Sequence, residues 1–165
     1  TNDYLQVCGF YYANMSNQAA KQTLKHCKIG TYLLRDSSHS GFLYSLSTKT
    51  SRGTTSVRIS YSSGFFRLDC EDAIQSVMPR FESVLGLIQY YMEKTQNMRK
   101  CVWLESSGRK DTPVVLQQPK RNAVSCLKHL TRRAIIKAIA EPSRLKDLPV
   151  TAQNLQYLQD YPFYV

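Results

Sequence analysis

Arg35 is the residue whose type and surroundings most clearly suit chemistry. It ends the strand-like run Thr31-Tyr32-Leu33-Leu34-Arg35 and is followed at once by Asp36-Ser37-Ser38-His39-Ser40. Alternate residues of a strand share a face, so Arg35 points with Leu33 and away from Tyr32 and Leu34. A lone strand arginine most simply faces water. Here the next turn is rich in hydroxyls and backbone N–H groups, which can cradle an oxyanion. Two later runs add to the same face. Ser45 lies opposite Tyr44 and Leu46, and Arg58 lies opposite Val57 and Ile59. One sheet face is therefore expected to gather two guanidinium groups and several hydroxyls around one point.

Other chemistries find less support. The five cysteines, Cys8, Cys27, Cys70, Cys101 and Cys126, are odd in number and widely spaced, as are His26, His39 and His129. No zinc knuckle or redox pair has that spacing, so no metal and no cofactor is expected. Unpaired thiols suit a reducing compartment. A cysteine-type phosphatase needs its nucleophile inside the phosphate loop, and no cysteine lies near Arg35-Asp36-Ser37-Ser38. The chain is expected to bind rather than to catalyse.

Composition narrows the class. With 42% hydrophobic and 21% charged residues, the 165-residue chain is no disordered polymer. No apolar run approaches the ~20 residues that span a bilayer, and no membrane insertion is expected. The chain opens on Thr1 and is read as a trimmed piece of a longer protein. A net charge of +10 favours an anionic partner: nucleic acid, phospholipid or a phosphorylated peptide. No nucleic-acid motif accompanies the charge, and no nucleic acid is expected.

The positioning elements follow from periodicity. Ser16 suits a helix N-cap before Ala20, Leu24 and Cys27, and Gly30 closes that segment. Strands are predicted over 31–35, 42–48, 55–61 and 65–68, with a hairpin turn at Ser62-Ser63-Gly64. A second helix is predicted to open at Pro79, carrying Phe81, Val84, Leu85, Ile88 and Met92 on one face. Residues 93–112 are expected to be loop and Val114-Val115-Leu116 a last strand. This is an α+β layout, an antiparallel sheet flanked by two helices. Pro119-Lys120-Arg121-Asn122 marks a boundary, beyond which the pattern is helical. Leu127, Leu130, Ala134 and Ala138 form one stripe, widened by Ile135, Ile136 and Ile139. Thr151 can cap a final helix bearing Leu155, Leu158 and Tyr161. So short a tail cannot build a core alone; it must lean on the first domain or on a partner.

Two resemblances join these observations. Thr31-Tyr32-Leu33-Leu34-Arg35-Asp36-Ser37-Ser38 resembles the FLVRES signature of SH2 domains, with Arg35 in the place of the invariant arginine. Phe10-Tyr11-Tyr12 resembles the aromatic opening segment of that family. The resemblance implies phosphotyrosine binding by Arg35, Ser37, Ser38, Ser45 and Arg58. Arg58 departs from the histidine many members place nearby, and Gln18 from a helix arginine.

In the tail, 126–135 resembles the elongin-binding BC box, and Leu148-Pro149-Val150-Thr151 the cullin box, of the SOCS box. An SH2 domain followed by such a tail resembles the suppressors of cytokine signalling, nearest the cytokine-inducible SH2 protein group. The implied organisation is an N-terminal extension at 1–8, an SH2 domain at 9–118 and a small all-α SOCS box at 119–165. Within that box, the BC box spans about 123–140 and the cullin box about 148–165. The resemblance assigns Leu127, Leu130, Thr131 and Ile135 to elongins B and C. It assigns Leu148, Pro149 and Val150 to a cullin-5-type scaffold with its RING protein. Thr131 and Thr151 depart from the usual cysteine and proline. The implied function is a cytoplasmic substrate receptor of a ubiquitin ligase. It would capture phosphotyrosines of cytokine receptors or signalling kinases and damp JAK-STAT signalling. The alternative is an adaptor that only competes for those phosphotyrosines.

Overall fold

A computed structural model describes residues 2–96, 113, 115–139 and 141–165. Its strands are β1 (Tyr11–Tyr12), β2 (Thr31–Asp36), β3 (Tyr44–Thr50), β4 (Gly53–Ser62), β5 (Phe65–Leu68) and β6 (Gln118–Pro119). They form one six-stranded sheet in the order β1-β2-β3-β4-β5, with β6 pairing β2. The pairs from β2 to β5 are antiparallel, whereas the two-residue strands β1 and β6 run parallel to β2. The helices are α1 (Asn2–Cys8), α2 (Asn17–Leu24), α3 (Val84–Gln96), α4 (Leu127–Ile139) and α5 (Ala152–Gln159). Among the described residues no helix is long and apolar enough to cross a membrane.

Strand alternation gives β2 two different faces. Leu33 packs with Ala20 and Leu24 of α2, all fully buried. Tyr32 and Leu34 point the other way, into the main core with Phe10, Leu46, Ile59, Leu85 and Ile88. Fully burying each such side chain contributes roughly 1.5–3 kcal/mol. Arg35 thus rises on the α2 side of the sheet. The predicted cap holds, because Ser16 Oγ accepts from Ala19 N at 3.1 Å.

Several boundaries differ from expectation. The second helix begins at Val84, not at Pro79. Phe81 instead pairs its backbone with Phe66 at the sheet edge, through N···O distances of 2.7 and 2.9 Å. Helical geometry at Phe81 would forfeit both bonds. Ser83 Oγ then accepts from Gly86 N at 3.0 Å and starts the helix. The second strand is shifted to 44–50, because Phe42 N turns back onto His39 O at 3.0 Å. The loop expected from Glu93 starts later, since α3 continues to Gln96; residues 97–112 lie outside the described residues. The strand expected at 114–116 is absent at Val115 and Leu116, and the bridge to β2 is made by Gln118–Pro119. Val114 lies outside the described residues.

The segment that composition marks as a boundary is stitched to the N-terminal residues. Arg121 Nη1 donates to Cys8 O at 2.6 Å, and Asn122 donates through N to Gly9 O and through Nδ2 to Tyr11 O, each at 2.8 Å. The residues read as an N-terminal extension form α1, whose Leu5 and Cys8 are buried in the main core. In the tail, the apolar stripe expected to need either the first domain or a partner is not covered by the first domain. Leu127, Leu130, Ala134 and Ala138 are exposed, whereas α4 buries His129 and Arg132. The rings of Tyr157 and Tyr161 stand 3.9 and 5.0 Å from the Arg132 guanidinium and receive it.

Candidate functional site

Strand register sets the predicted phosphate ligands in a row. Arg35 of β2 pairs with Ser45 of β3, and Ser45 pairs with Arg58 of β4. Directly opposed residues keep their Cβ atoms about 4.5–5.5 Å apart. Arg35 is only 2% exposed. Its Nε donates to Ser47 Oγ at 3.2 Å and its Nη1 to Asp36 O at 2.9 Å. Both acceptors are neutral. The Asp36 carboxylate is turned away, accepting from Tyr11 Oη at 2.5 Å and from Asn14 N at 2.7 Å.

No described carboxylate is paired with Arg35. Burial lowers its affinity for its proton, and the nearby Asp36 opposes that shift. An arginine nonetheless stays charged, so a desolvated positive charge waits without an anion. Such a charge is costly until an anion joins it. The same carboxylate acts on Tyr11: burial first, then the bond to Asp36, makes its hydroxyl harder to ionise.

The following loop is pre-shaped. Ser37 N donates to Leu43 O at 3.1 Å, Ser37 Oγ accepts from His39 N at 3.1 Å, and Gly41 N donates to His39 Nδ1 at 3.2 Å. Because Ser37 Oγ acts as acceptor, its own proton remains available. Ser38 is exposed at the loop surface.

Arg58 differs from Arg35. Its Nε and Nη2 reach Asp69 Oδ2 at 2.9 and 2.8 Å, and its guanidinium lies 4.6 Å from the centroid of the Phe42 ring. The second guanidinium of the row is already neutralised. Gln18 is an exposed residue of α2. Sequence reasoning singled out Ser45 but passed over Ser47, which shares its face two residues on; the alternation used for Ser45 would have reached it. The grip of Tyr11 and Asn14 on Asp36 carries no sequence signal.

The tail presents a groove of about 410 Å³ lined in part by Leu127, Thr131, Ile135, Val150, Tyr157 and Leu158. Leu127 is 79% exposed at its rim. Thr131 Oγ1 donates to Leu127 O at 2.9 Å, so the hydroxyl is satisfied within the helix. Leu130 lies apart from the other three, in a cleft with Met92 and Pro119. Val150 borders the Leu127 groove, while Pro149 is exposed and Leu148 half-buried at the end of a 3-10 turn.

A sheet with helices on both faces and a buried arginine rising from β2 defines an SH2-domain protein. The SH2 domain model matches residues 10–91. The solution structure of the SH2 domain of human proto-oncogene protein VAV1 has the same fold, with a TM-score of 0.52 at 18% identity. That likeness covers 74% of this chain and 80% of the other.

Similarity to curated proteins extends through the tail. Suppressor of cytokine signaling 2 of Rattus norvegicus is 35% identical over 161 residues, 98% of this chain and 79% of its own length. Cytokine-inducible SH2-containing protein of Gallus gallus is 33% identical, over 99% of this chain and 70% of its own length. Suppressor of cytokine signaling 3 of Gallus gallus is 30% identical, over 96% and 80%. The chain belongs to the suppressor of cytokine signalling family, in the group of suppressor of cytokine signaling 2 and the cytokine-inducible SH2-containing protein.

Proposed function

We propose that the protein is a cytoplasmic, non-catalytic substrate receptor that damps cytokine signalling. The SH2 domain captures a phosphotyrosine on an activated cytokine receptor or a signalling kinase. The tail recruits elongins B and C, and through them a cullin-5-type scaffold with its RING protein. Holding the target beside the ubiquitin-transfer machinery raises its effective concentration. One observation carries the phosphotyrosine half: Arg35 is 2% exposed, and no described carboxylate is paired with it. A phosphotyrosyl group supplies the missing charge, about −1.5 to −2 at neutral pH, and three acceptor oxygens. A guanidinium fork matches two of them, which an ammonium cannot.

The ligase half is supported by the exposed apolar groove beside Leu127 and by relatives whose similarity runs through the tail. A helix of a partner, or a groove receiving α4, would cover that surface. Co-expression with elongins B and C is expected to yield a complex that Leu127→Asp abolishes. Since Leu127 is 79% exposed, the variant is expected to keep its melting temperature. A folded wild-type chain that takes up no elongin would leave the competing adaptor as the function.

A further inference from the structure

We propose that Ser47 and Ser56 are positioning residues for Arg35, aiming its guanidinium at the incoming phosphate; this rests on the reading that Arg35 takes a phosphate. Arg35 sits opposite Ser45 in the sheet, yet its Nε bonds not to Ser45 but to Ser47, 3.2 Å away. Ser47 belongs to the next row, paired with Leu33 on one side and Ser56 on the other. The arginine side chain therefore leans back along β2 and is caught over the neighbouring row.

The catch has two parts. Ser47 is fully buried, and its Oγ lies 2.8 Å from Ser56 Oγ. Ser47 Oγ accepts from the arginine and still has a proton and a second lone pair, so it can bond Ser56 Oγ in either direction while holding Nε. Ser56 is half-buried and closes the chain of bonds.

The consequence is directional. A guanidinium can meet a phosphate by its side, with Nε and one Nη, or by its end, with Nη1 and Nη2. Ser47 occupies Nε and closes the side. The Asp36 carbonyl takes one of the two protons on Nη1, from 2.9 Å. Among the described residues none accepts from Nη2. The end of the fork is left for the ligand. Removing Ser47 would free the guanidinium to rotate, and ordering it again would fall on the binding step.

The test uses the full chain, labelled with ¹⁵N at arginine, and phenyl phosphate as ligand. Ser47→Ala is expected to weaken phenyl phosphate about tenfold and to speed hydrogen exchange at the Arg35 Nε–H resonance. Ser56→Ala should do both to a lesser degree, about threefold in affinity, and it carries the test should Ser47→Ala not fold. Ser47→Thr, which returns the hydroxyl, should restore both readouts. Both alanine variants binding like the wild type, with Arg35→Ala unable to bind, would overturn the positioning role and leave the phosphate site standing. Arg35→Ala binding as well as the wild type would overturn the phosphate reading and this inference with it.

Discussion

Arg35 and Arg58 share one row of the sheet but carry their charge differently. Arg58 is balanced by Asp69 and is partly open to solvent, its side chain 38% exposed. Pairs of that kind are worth about 0.2–1 kcal/mol. Arg35 is buried among neutral acceptors, and deleting one member of a buried charge pair costs about 2–5 kcal/mol. Titration of a phosphotyrosine peptide should therefore show Arg35→Ala weakening binding about 30- to 4000-fold. Arg58→Ala is expected to cost about fivefold at most.

A second residue-scale prediction concerns His129. Burial first, and then the fields of Arg132, Arg133 and Arg121, push its pKa from 6.5 down to about 4. Its Nδ1 lies 3.2 Å from Arg132 Nη2, a donor, so the ring is neutral when folded. Between pH 6.5 and 4 the unfolded chain binds the extra proton and the folded chain does not. Stability should be full above pH 6.5, fall as the pH drops through that window, and level off below 4. The loss is on the order of 3 kcal/mol. Urea denaturation across that range should show it, and His129→Gln should flatten the profile.

At the scale of elements, the entry into β2 depends on one turn. Gly30 has φ +81°, and a Cβ placed there would come within 2.8 Å of the Gln117 side chain. Its N donates to Lys49 O at 2.8 Å and its carbonyl accepts from Gln117 N at 2.9 Å, so the turn cannot shift without breaking the sheet's edge. Gly30→Ala is expected to cost about 1–3 kcal/mol, read as a lower urea midpoint. Because the strain sits five residues before Arg35, phosphopeptide affinity at low temperature should change little. The same element logic explains the late start of α3. The Phe81 backbone closes the sheet edge against Phe66, and only after that pairing does the chain coil.

For the whole molecule, sheet and tail share one interior. Tyr161 and Val165 belong to the same buried cluster as Phe10, Tyr32 and Leu85. Tyr4 of α1 meets Tyr161 and Phe163 edge-on, with ring centroids 5.9 and 5.4 Å apart. Arg133 donates to Tyr164 O from Nε and Nη2, at 3.1 and 2.9 Å. Tyr164 in turn donates to Gln89 Oε1 from its N and to Glu93 Oε1 from its hydroxyl. The tail is therefore not a separately folding appendage. Calorimetry should give a single transition for the full chain. Tyr161→Ala, at a site 1% exposed, should destabilise the sheet and tail together by about 3–5 kcal/mol. Two separate transitions, with the sheet's unmoved by the substitution, would contradict this.

What could be read without coordinates was local: the Ser16 and Thr151 caps, the Gly30 turn, the hairpin at Ser62-Ser63-Gly64 and the two faces of β2. Each is set within a few residues, where backbone sterics and side-chain alternation suffice. That alternation already put Arg35, Ser45 and Arg58 on one face. The rest needed contacts between distant segments. Asp69 neutralises Arg58 from β4's hairpin partner side, 11 residues on. Tyr157 and Tyr161 turn the polar side of α4 inward by offering their rings to Arg132. Arg121 and Asn122 bind back to residues more than 100 positions earlier. A helix or strand pattern tells which side chains share a face, but which face is buried, and which charge is left without a partner, depends on what the folded chain brings against it.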